Sequence, residues 1–202
     1  MLEDVLTAVD ACERLTGVIV VTADHAAAAV ARRHEAIVLM ETAAVGMNAA
    51  VLRVVRYLTG NSEAGIVVVP ADLPQVSAHD IEAMIGLIDR TPAIALVRSS
   101  DGGTNLFACP PSDVIAPSFG PESFNAHCDA AVRKGIRPTV YLAPHLGLDI
   151  DQRDDIAAFV SRQSSTRTHA YLSSLDIHAR LTTHPSDALS LVSVGRKVTG
   201  HD

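Results

Sequence analysis

Lysine is scarce in this sequence, and so is positive charge. Lys134 and Lys197 are the two lysines among 16 basic residues, so a catalytic lysine would have to be one of them. The formal net charge of -7 and the sequence pI of about 5.6 disfavour a nucleic-acid groove and a polybasic membrane-binding patch, since both need an electropositive surface. We therefore expect neither nucleic acid nor membrane as a partner.

The sequence also lacks the patterns of secreted, membrane-spanning and zinc-binding proteins. Its three cysteines, Cys12, Cys109 and Cys128, are widely spaced and form no Cys-x-x-Cys pair, which disfavours a disulfide framework and a zinc knuckle. No apolar run reaches the roughly 18 residues of a membrane span, and the first residues are acidic, unlike a secretion signal. We expect a soluble cytoplasmic protein.

Two common nucleotide-binding motifs are missing as well. No Gly-x-Gly-x-x-Gly follows a strand, and there is no Walker loop.

Apolar periodicity predicts alternating helices and strands. Helical spacing predicts helices over 2–15, 25–34, 48–58, 78–90, 121–134 and 151–160. Continuous apolar runs predict strands over 17–22, 36–40, 66–69, 93–97 and 106–109, with extended segments at 139–142 and 147–150. This βαβ rhythm predicts an α/β domain over 1–160, followed by a loosely organised tail over 161–202 with one short helix around 171–181.

Asp72 ends a buried strand. The run Val67–Val69 has no polar alternation, as in a parallel strand covered on both faces, and it stops at an acid framed by Pro70 and Pro74. Ligands of such sheets bind beyond the carboxyl ends of the strands, so Asp72 is a candidate metal ligand. A simple turn residue is the alternative.

Asp149 and Asp151 form a second acidic pair. On an extended chain they point the same way, while Ile150 points to the core. A divalent cation would relieve their repulsion, and Mg²⁺ commonly uses one or two carboxylates with phosphate oxygens and waters. The alternative is an N-cap at Asp151 with Asp154 in the first helical turn.

Two segments offer hydrogen-bond donors to an anion. Ser100–Asn105 contains paired glycines that expose backbone N–H groups, although a plain hairpin turn is the favoured interpretation. Phe119–Phe124 opens a helix, where free N–H groups favour a phosphate or carboxylate and Ser123 would reach the ligand or simply cap the helix. The lone histidines His127 and His145 are interpreted as structural.

Six blocks in order resemble one family. They are 1–6 (MLEDVL), 46–51 (GMNAAV), 70–74 (PADLP), 101–105 (DGGTN), 119–124 (FGPESF) and 148–151 (LDID). Over about residues 1–160 the chain resembles the 2-phospho-L-lactate guanylyltransferases of coenzyme F420 biosynthesis, a family that includes enzymes using phosphoenolpyruvate or 3-phospho-D-glycerate.

The resemblance implies a three-layer nucleotidyltransferase fold, like that of the nucleotide-diphospho-sugar transferases, with a mixed, mostly parallel sheet. It implies attack of the acid's phosphate on the α-phosphorus of GTP, release of pyrophosphate, and Mg²⁺ as cofactor. Residue by residue, it implies metal-holding acids at Asp72, Asp149 and Asp151, contacts to the phosphorylated acid at Thr104, Gly120 and Ser123, and nucleotide contacts at Gly46 and Asn48.

One block expected of the family does not precede the first helix. Members begin with a strand and a basic loop, whereas this chain begins on the MLEDVL helix. Two alternatives to the guanylyltransferase therefore stay open: a non-catalytic remnant of the fold, and a related nucleotidyltransferase for another phosphorylated substrate. A homodimer stays open as the assembly.

Overall fold

The structure is a computed structural model, and it describes residues 1–58, 65–175 and 177. The helices are α1 Leu2–Asp10, α2 His25–Arg33, α3 Met47–Tyr57, α4 Ala78–Leu87, α5 Ser123–Arg133, α6 Arg153–Val160 and α7 Arg167–Ser174, with a 3-10 helix at Pro144–Gly147. The strands are β1 Ile19–Thr22, β2 Ile37–Met40, β3 Ile66–Val68, β4 Ala95–Arg98, β5 Thr104–Cys109 and β6 Thr139–Val140. Within the described residues, none of the helices is long and apolar enough to cross a bilayer.

The strands form two sheets. β1 pairs with β2 in parallel, and the larger sheet has the order β3-β5-β4-β6. β5 is antiparallel to both β3 and β4, and β6 is parallel to β4, so β5 alone runs against the other three strands of that sheet. The expected mixed sheet is confirmed, with two parallel and two antiparallel pairings among the described strands. The expectation that β3 is a parallel strand was wrong, since it pairs antiparallel with β5.

The larger sheet has a core on each face, as the alternation of strand side chains requires. One core joins Ala95, Val97, Leu106 and Ala108 to side chains of α1 and α4, including Val5, Val9, Ile81 and Met84. The other joins Ile94, Leu96, Phe107 and Cys109 to α5 through Ala131, Phe124 and Cys128. Helices therefore cover both faces, and the expected three-layer α/β arrangement is present.

Helix α1 links the two sheets. Val5 and Val9 face the larger sheet, whereas Leu6 packs with Ala31 and Ala36 over β1 and β2. Residues three and four apart lie on one helix face, and a wider apolar stripe lets one helix serve two neighbouring cores. Leu6 is 2% exposed, so its side chain is almost fully buried between α1 and the smaller sheet.

Helix α4 shows why the predicted helices begin where they do. Its N-cap is Ser77, whose hydroxyl oxygen accepts the Asp80 N–H, while the Asp80 carboxylate accepts the Ser77 N–H. This reciprocal capping box satisfies donors that a helix start leaves unpaired.

Several boundary predictions were wrong: α1 ends at Asp10 and α4 at Leu87, short of the predicted ends at 15 and 90. The helix predicted from Pro121 starts at Ser123, because Glu122 takes a left-handed backbone conformation with φ 56°. The extended segment predicted over 147–150 forms no strand: Gly147 ends the 3-10 helix, and its carbonyl accepts the Ser100 N–H instead of a strand partner.

The predicted tail contains an ordered helix in its first part. Helix α7, Arg167–Ser174, overlaps the short helix expected around 171–181 and packs on α1 and α6. The rest of that predicted helix, apart from 175 and 177, lies outside the described residues. The domain boundary at 160 stays a prediction.

Candidate active site

Asp72 lies just beyond β3, as the sequence predicts. Its Oδ1 is buried and has no hydrogen-bond partner among the described residues. Burial raises the pKa of the Asp72 carboxyl above its usual range, and the negative charges of Asp151 and Asp149 raise it further. An acceptor oxygen held away from water without a donor is costly, so this atom is suited to a positively charged ligand.

The second acidic pair lies beside Asp72. The Ile150 N–H donates to the Asp72 carbonyl at 3.2 Å, which brings the residues on either side of Ile150 to the end of β3. Burial raises the pKa of Asp149, and the charges of Asp101 and Asp151 add to that rise, although a hydrogen bond from the Asn105 side chain opposes it. The structure thus brings the three predicted acids together.

The capping alternative for Asp151 was wrong. The N-cap of α6 is Gln152, and the carboxylate that serves this helix start is that of Asp155. Asp155 Oδ2 accepts the Gln152 N–H at 2.8 Å and the Asp151 N–H at 3.2 Å. The Asp151 side chain is exposed and is not needed to begin the helix.

The acidic group fits a cation that shares its coordination with a ligand. In the described part of the chain, no three or more His, Cys, Asp or Glu side chains are arranged to hold a metal ion by themselves. Mg²⁺ asks less of the protein, since one or two carboxylates with phosphate oxygens and waters complete its shell. The unpartnered Oδ1 of Asp72 is the observation that supports such a role.

Ser99–Gly103 forms the turn between β4 and β5, while Thr104 and Asn105 already belong to β5, so the hairpin interpretation is confirmed. The Ser99 N–H donates to the Gly103 carbonyl at 3.0 Å, while the Ser99 hydroxyl and the Gly103 N–H both donate to Asp101 Oδ1. These bonds hold the pKa of Asp101 below its usual range. A Cβ at Gly103 would lie 2.7 Å from the Ser99 hydroxyl oxygen, so the turn needs glycine there.

Thr104 and Ser123 meet in a buried cluster of polar side chains. Thr104 opens β5 and Ser123 opens α5, and the Ser123 hydroxyl donates to Thr104 Oγ1 at 3.1 Å. His127 Nδ1 lies 3.0 Å from the same oxygen. The Phe124 N–H also donates to the Gly102 carbonyl at 3.3 Å, so the hairpin turn and the start of α5 are tied together.

The hydroxyl cluster and the acids belong to one region. Asn105 follows Thr104 on β5, and its Nδ2–H donates to the Leu146 carbonyl at 2.7 Å, two residues before the segment that carries Asp149. The Ser100 N–H donates to the Gly147 carbonyl at 2.8 Å. An acid-rich loop and a hydroxyl-rich turn therefore share an edge of the larger sheet.

Asn48 and Gly46 lie at the start of α3, and Asn48 is tied to this region. Asn48 Nδ2–H donates to the Phe119 carbonyl at 3.0 Å, and its Oδ1 accepts the Phe119 N–H at 2.6 Å. This pair holds the chain just before Gly120, whose φ of 133° favours glycine, as does the φ of 90° at Gly46. The nucleotide contacts of Gly46 and Asn48 stay a prediction.

The sequence predicts Asn105 only as one donor of the segment Ser100–Asn105, and it predicts His127 as a structural residue. Both are buried polar residues, and each bonds to a part of the chain that is distant in sequence. Asn105 stood inside the DGGTN block, and His127 is four residues after Ser123, one helical turn away. That spacing was the available signal.

A family model described as "Guanylyl transferase CofC like" matches residues 1–193. The chain belongs to this family. The resemblance found in the six blocks is thereby confirmed, and the protein is a member of an enzyme family of nucleotidyltransferases.

Relatives and solved structures agree with this assignment. The chain is 31% identical to the phosphoenolpyruvate guanylyltransferase of Conexibacter woesei, over 93% of this chain and 85% of the relative. It is 27% identical to the 2-phospho-L-lactate guanylyltransferase of Methanobrevibacter smithii, over 86% and 76% of the two chains. A candidate nucleotide-diphospho-sugar transferase from Desulfovibrio desulfuricans G20 has the same fold, with a TM-score of 0.63, 14% identity, and coverage of 88% of this chain and 81% of that one.

Proposed function

We propose that this guanylyl transferase family member moves the GMP group of GTP to the phosphate of a three-carbon acid, releasing pyrophosphate. The acid is 2-phospho-L-lactate, phosphoenolpyruvate or 3-phospho-D-glycerate, and the product is a guanosine-diphospho adduct for coenzyme F420 assembly. The proposal places the reaction in the cytoplasm.

The observation that carries the proposal is the unpartnered Oδ1 of Asp72 beside Asp149 and Asp151. Burial and neighbouring negative charges raise the pKa of Asp72 and of Asp149, so the ionised form of both carboxylates is disfavoured. A nearby positive charge would stabilise that ionised form. These acids would hold Mg²⁺, which when bound neutralises phosphate charge and favours departure of pyrophosphate.

The acid's end of the site is supported by the cluster at the start of α5. Thr104 and Ser123 present hydroxyl groups, and the backbone around Gly120 has the positive φ that leaves space where a Cβ would point. Hydroxyl and N–H donors suit phosphate and carboxylate oxygens.

The reaction makes modest demands on the side chains. A phosphate oxygen of the acid attacks the α-phosphorus of GTP, the α–β anhydride bond breaks, and pyrophosphate carries away the electron pair. No general base is needed, since the nucleophilic oxygen is already ionised at neutral pH. The chain's task is to hold two anions in line, so positioning and charge stabilisation dominate.

The test is pyrophosphate release by the purified protein with GTP, Mg²⁺ and each of the three acids in turn. Release with at least one acid, and its loss when GTP, the acid or Mg²⁺ is omitted, is the expected result. A folded protein that releases none with any acid would favour the non-catalytic remnant. Release with a sugar phosphate but with none of the acids would favour the related nucleotidyltransferase.

A further inference from the structure

His127 has two hydrogen-bond partners inside the protein. The side chain is fully buried, and its ring lies 5.0 Å from both Phe107 and Phe119, measured between ring centroids. Its Nδ1 lies 3.0 Å from Thr104 Oγ1, and its Nε2 accepts the Ser118 N–H at 2.9 Å. Phenylalanine would fill this apolar slot equally well, so the two ring nitrogens call for a separate explanation.

The Ser118 bond decides which nitrogen carries the proton. A backbone N–H can only donate, so Nε2 must offer its lone pair. Burial lowers the pKa of His127 to about 4, so the ring is neutral at pH 7 and carries one proton. That proton is on Nδ1, which therefore donates to Thr104 Oγ1.

The Thr104 hydroxyl can then still donate its own hydrogen. Its oxygen accepts from His127 Nδ1–H and from the Ser123 hydroxyl, which uses both lone pairs. Within the described part of the chain, its own hydrogen has no acceptor. Thr104 is 6% exposed, so it is largely but not completely covered, and an oxygen of a bound ligand would supply the acceptor that its hydrogen lacks.

We propose that His127 is a positioning residue: it fixes the Thr104 hydroxyl as a donor aimed at a phosphate or carboxylate oxygen of the acid substrate. This inference rests on the proposed function for its ligand. The Ser118 N–H makes Nε2 of His127 an acceptor, which places the ring proton on Nδ1. Nδ1–H in turn makes Thr104 Oγ1 an acceptor, so the Thr104 hydroxyl hydrogen is directed elsewhere. A hydroxyl with fixed polarity binds an anion without first having to be reoriented.

The first test is the tautomer of His127 in the wild-type protein, read from ¹⁵N chemical shifts at pH 7. The expected result is a proton on Nδ1 and none on Nε2. A proton on Nε2 would overturn the inference whatever the protein's activity.

The second test uses two variants that each keep one end of the imidazole. His127→Asn places an amide N–H near the former Nδ1, while His127→Gln places a carbonyl oxygen near the former Nε2. His127→Gln alone removes the donor to Thr104 Oγ1, so the Thr104 hydroxyl is no longer held toward the acid and the affinity for the acid should fall about 10-fold. His127→Asn keeps an N–H donor toward Thr104 but loses the Ser118 bond, so it should lose less affinity for the acid than His127→Gln, and the GTP affinity of both should be unchanged, as measured by calorimetry.

Thr104→Val supplies an independent arm, because it removes the hydroxyl and keeps the shape. Thr104→Val should lower the affinity for the acid as His127→Gln does. The double variant should bind the acid no more weakly than Thr104→Val alone. Additive losses, or equal losses for the acid and GTP, would overturn the inference. Wild-type protein that binds an acid without turning it over would count against the proposed function and leave this inference standing.

Discussion

Asp72 and Asp80 are both acids with buried carboxylate oxygens, and their surroundings differ in kind. The Asp80 carboxylate accepts from the Ser77 N–H, from the Ser77 and Tyr141 hydroxyls, and from His145 Nε2. Burial raises its pKa, but the hydrogen bonds outweigh burial and leave the pKa lowered. Asp72 has the opposite outcome, with an unpartnered oxygen and a raised pKa. The Asp80 carboxylate therefore contributes to stability through its hydrogen bonds, whereas Asp72 Oδ1 makes none among the described residues.

Asp72→Asn should not destabilise the protein when divalent cations are absent. The folded pKa of Asp72 is raised, so its ionisation costs stability, and that cost grows as pH rises from about 4, the unfolded value, through the folded pKa. The variant lacks this cost. In urea unfolding with EDTA, its free energy of unfolding at pH 7 should equal or exceed that of wild type, and the gap should shrink toward pH 4.

The matched control is Asp113→Asn, at an exposed position. It makes the same change of functional group where the side chain is in contact with water, so it is the reference for the effect of the substitution itself. A loss of about 1 kcal/mol or more in Asp72→Asn at pH 7 is what a single native hydrogen bond contributes, and it would mean that Oδ1 has a partner in the folded protein.

Asp80→Ala should cost stability. It removes the acceptor for the Ser77 and Tyr141 hydroxyls and half of the capping box, which together are worth about 2–3 kcal/mol. Because the folded pKa of Asp80 is lowered, this contribution is present above about pH 4 and is lost as pH falls through the folded pKa. Urea unfolding between pH 3 and 7 measures it. A difference from wild type that persists unchanged in acid would contradict the assignment.

At the scale of elements, α7 is held by a residue of α1. The Asp4 carboxylate, 8% exposed, accepts the N–H groups of Arg167 and Thr168 and the Thr168 hydroxyl. These are the first N–H groups of α7, which have no acceptor within the helix. Helix α1 thus supplies a carboxylate where the helix dipole favours negative charge.

Asp4→Ala should therefore loosen α7 and leave the larger sheet intact. We expect the backbone amides of 167–174 to exchange with deuterium about 10-fold faster or more, as a lost charged hydrogen bond implies, while β4 and β5 keep their protection. Asp10→Ala is the matched control, since Asp10 lies on α1 but bonds to His34. Equal effects of both variants would show that α7 is held by apolar packing alone.

Much of the fold, but less of the site, could be predicted from the sequence. Apolar runs identify most of β4 and the part of β5 after Asn105, because strands covered on both faces are largely apolar. Helical spacing of apolar residues identifies α4. The segment 147–150 could not be predicted, because its backbone bonds to turns that are distant in sequence. The role of His127 depends on Thr104 and Ser118, whose approach only the folded chain reveals.

The whole molecule carries a net charge of -7, yet the proposed substrates are both anions. The overall field opposes their binding, so attraction must come from local donors and from a cation. The structure supplies these ingredients in two adjoining places: the acids around Asp72, which suit a cation, and the hydroxyls of Thr104 and Ser123, which suit an anion. The proposed function requires that these two places act in the same transfer reaction.

Label transfer from GTP tests that claim most directly. With Mg²⁺ and the acid that supports pyrophosphate release, label at the α-phosphorus should appear in an adduct with the acid, and label at the γ-phosphorus should leave in pyrophosphate. Asp72→Asn should lower the rate of both about 100-fold or more, as loss of a group that acts in the transition state does. Transfer of the γ-label to the acid, or full activity of Asp72→Asn, would contradict the account.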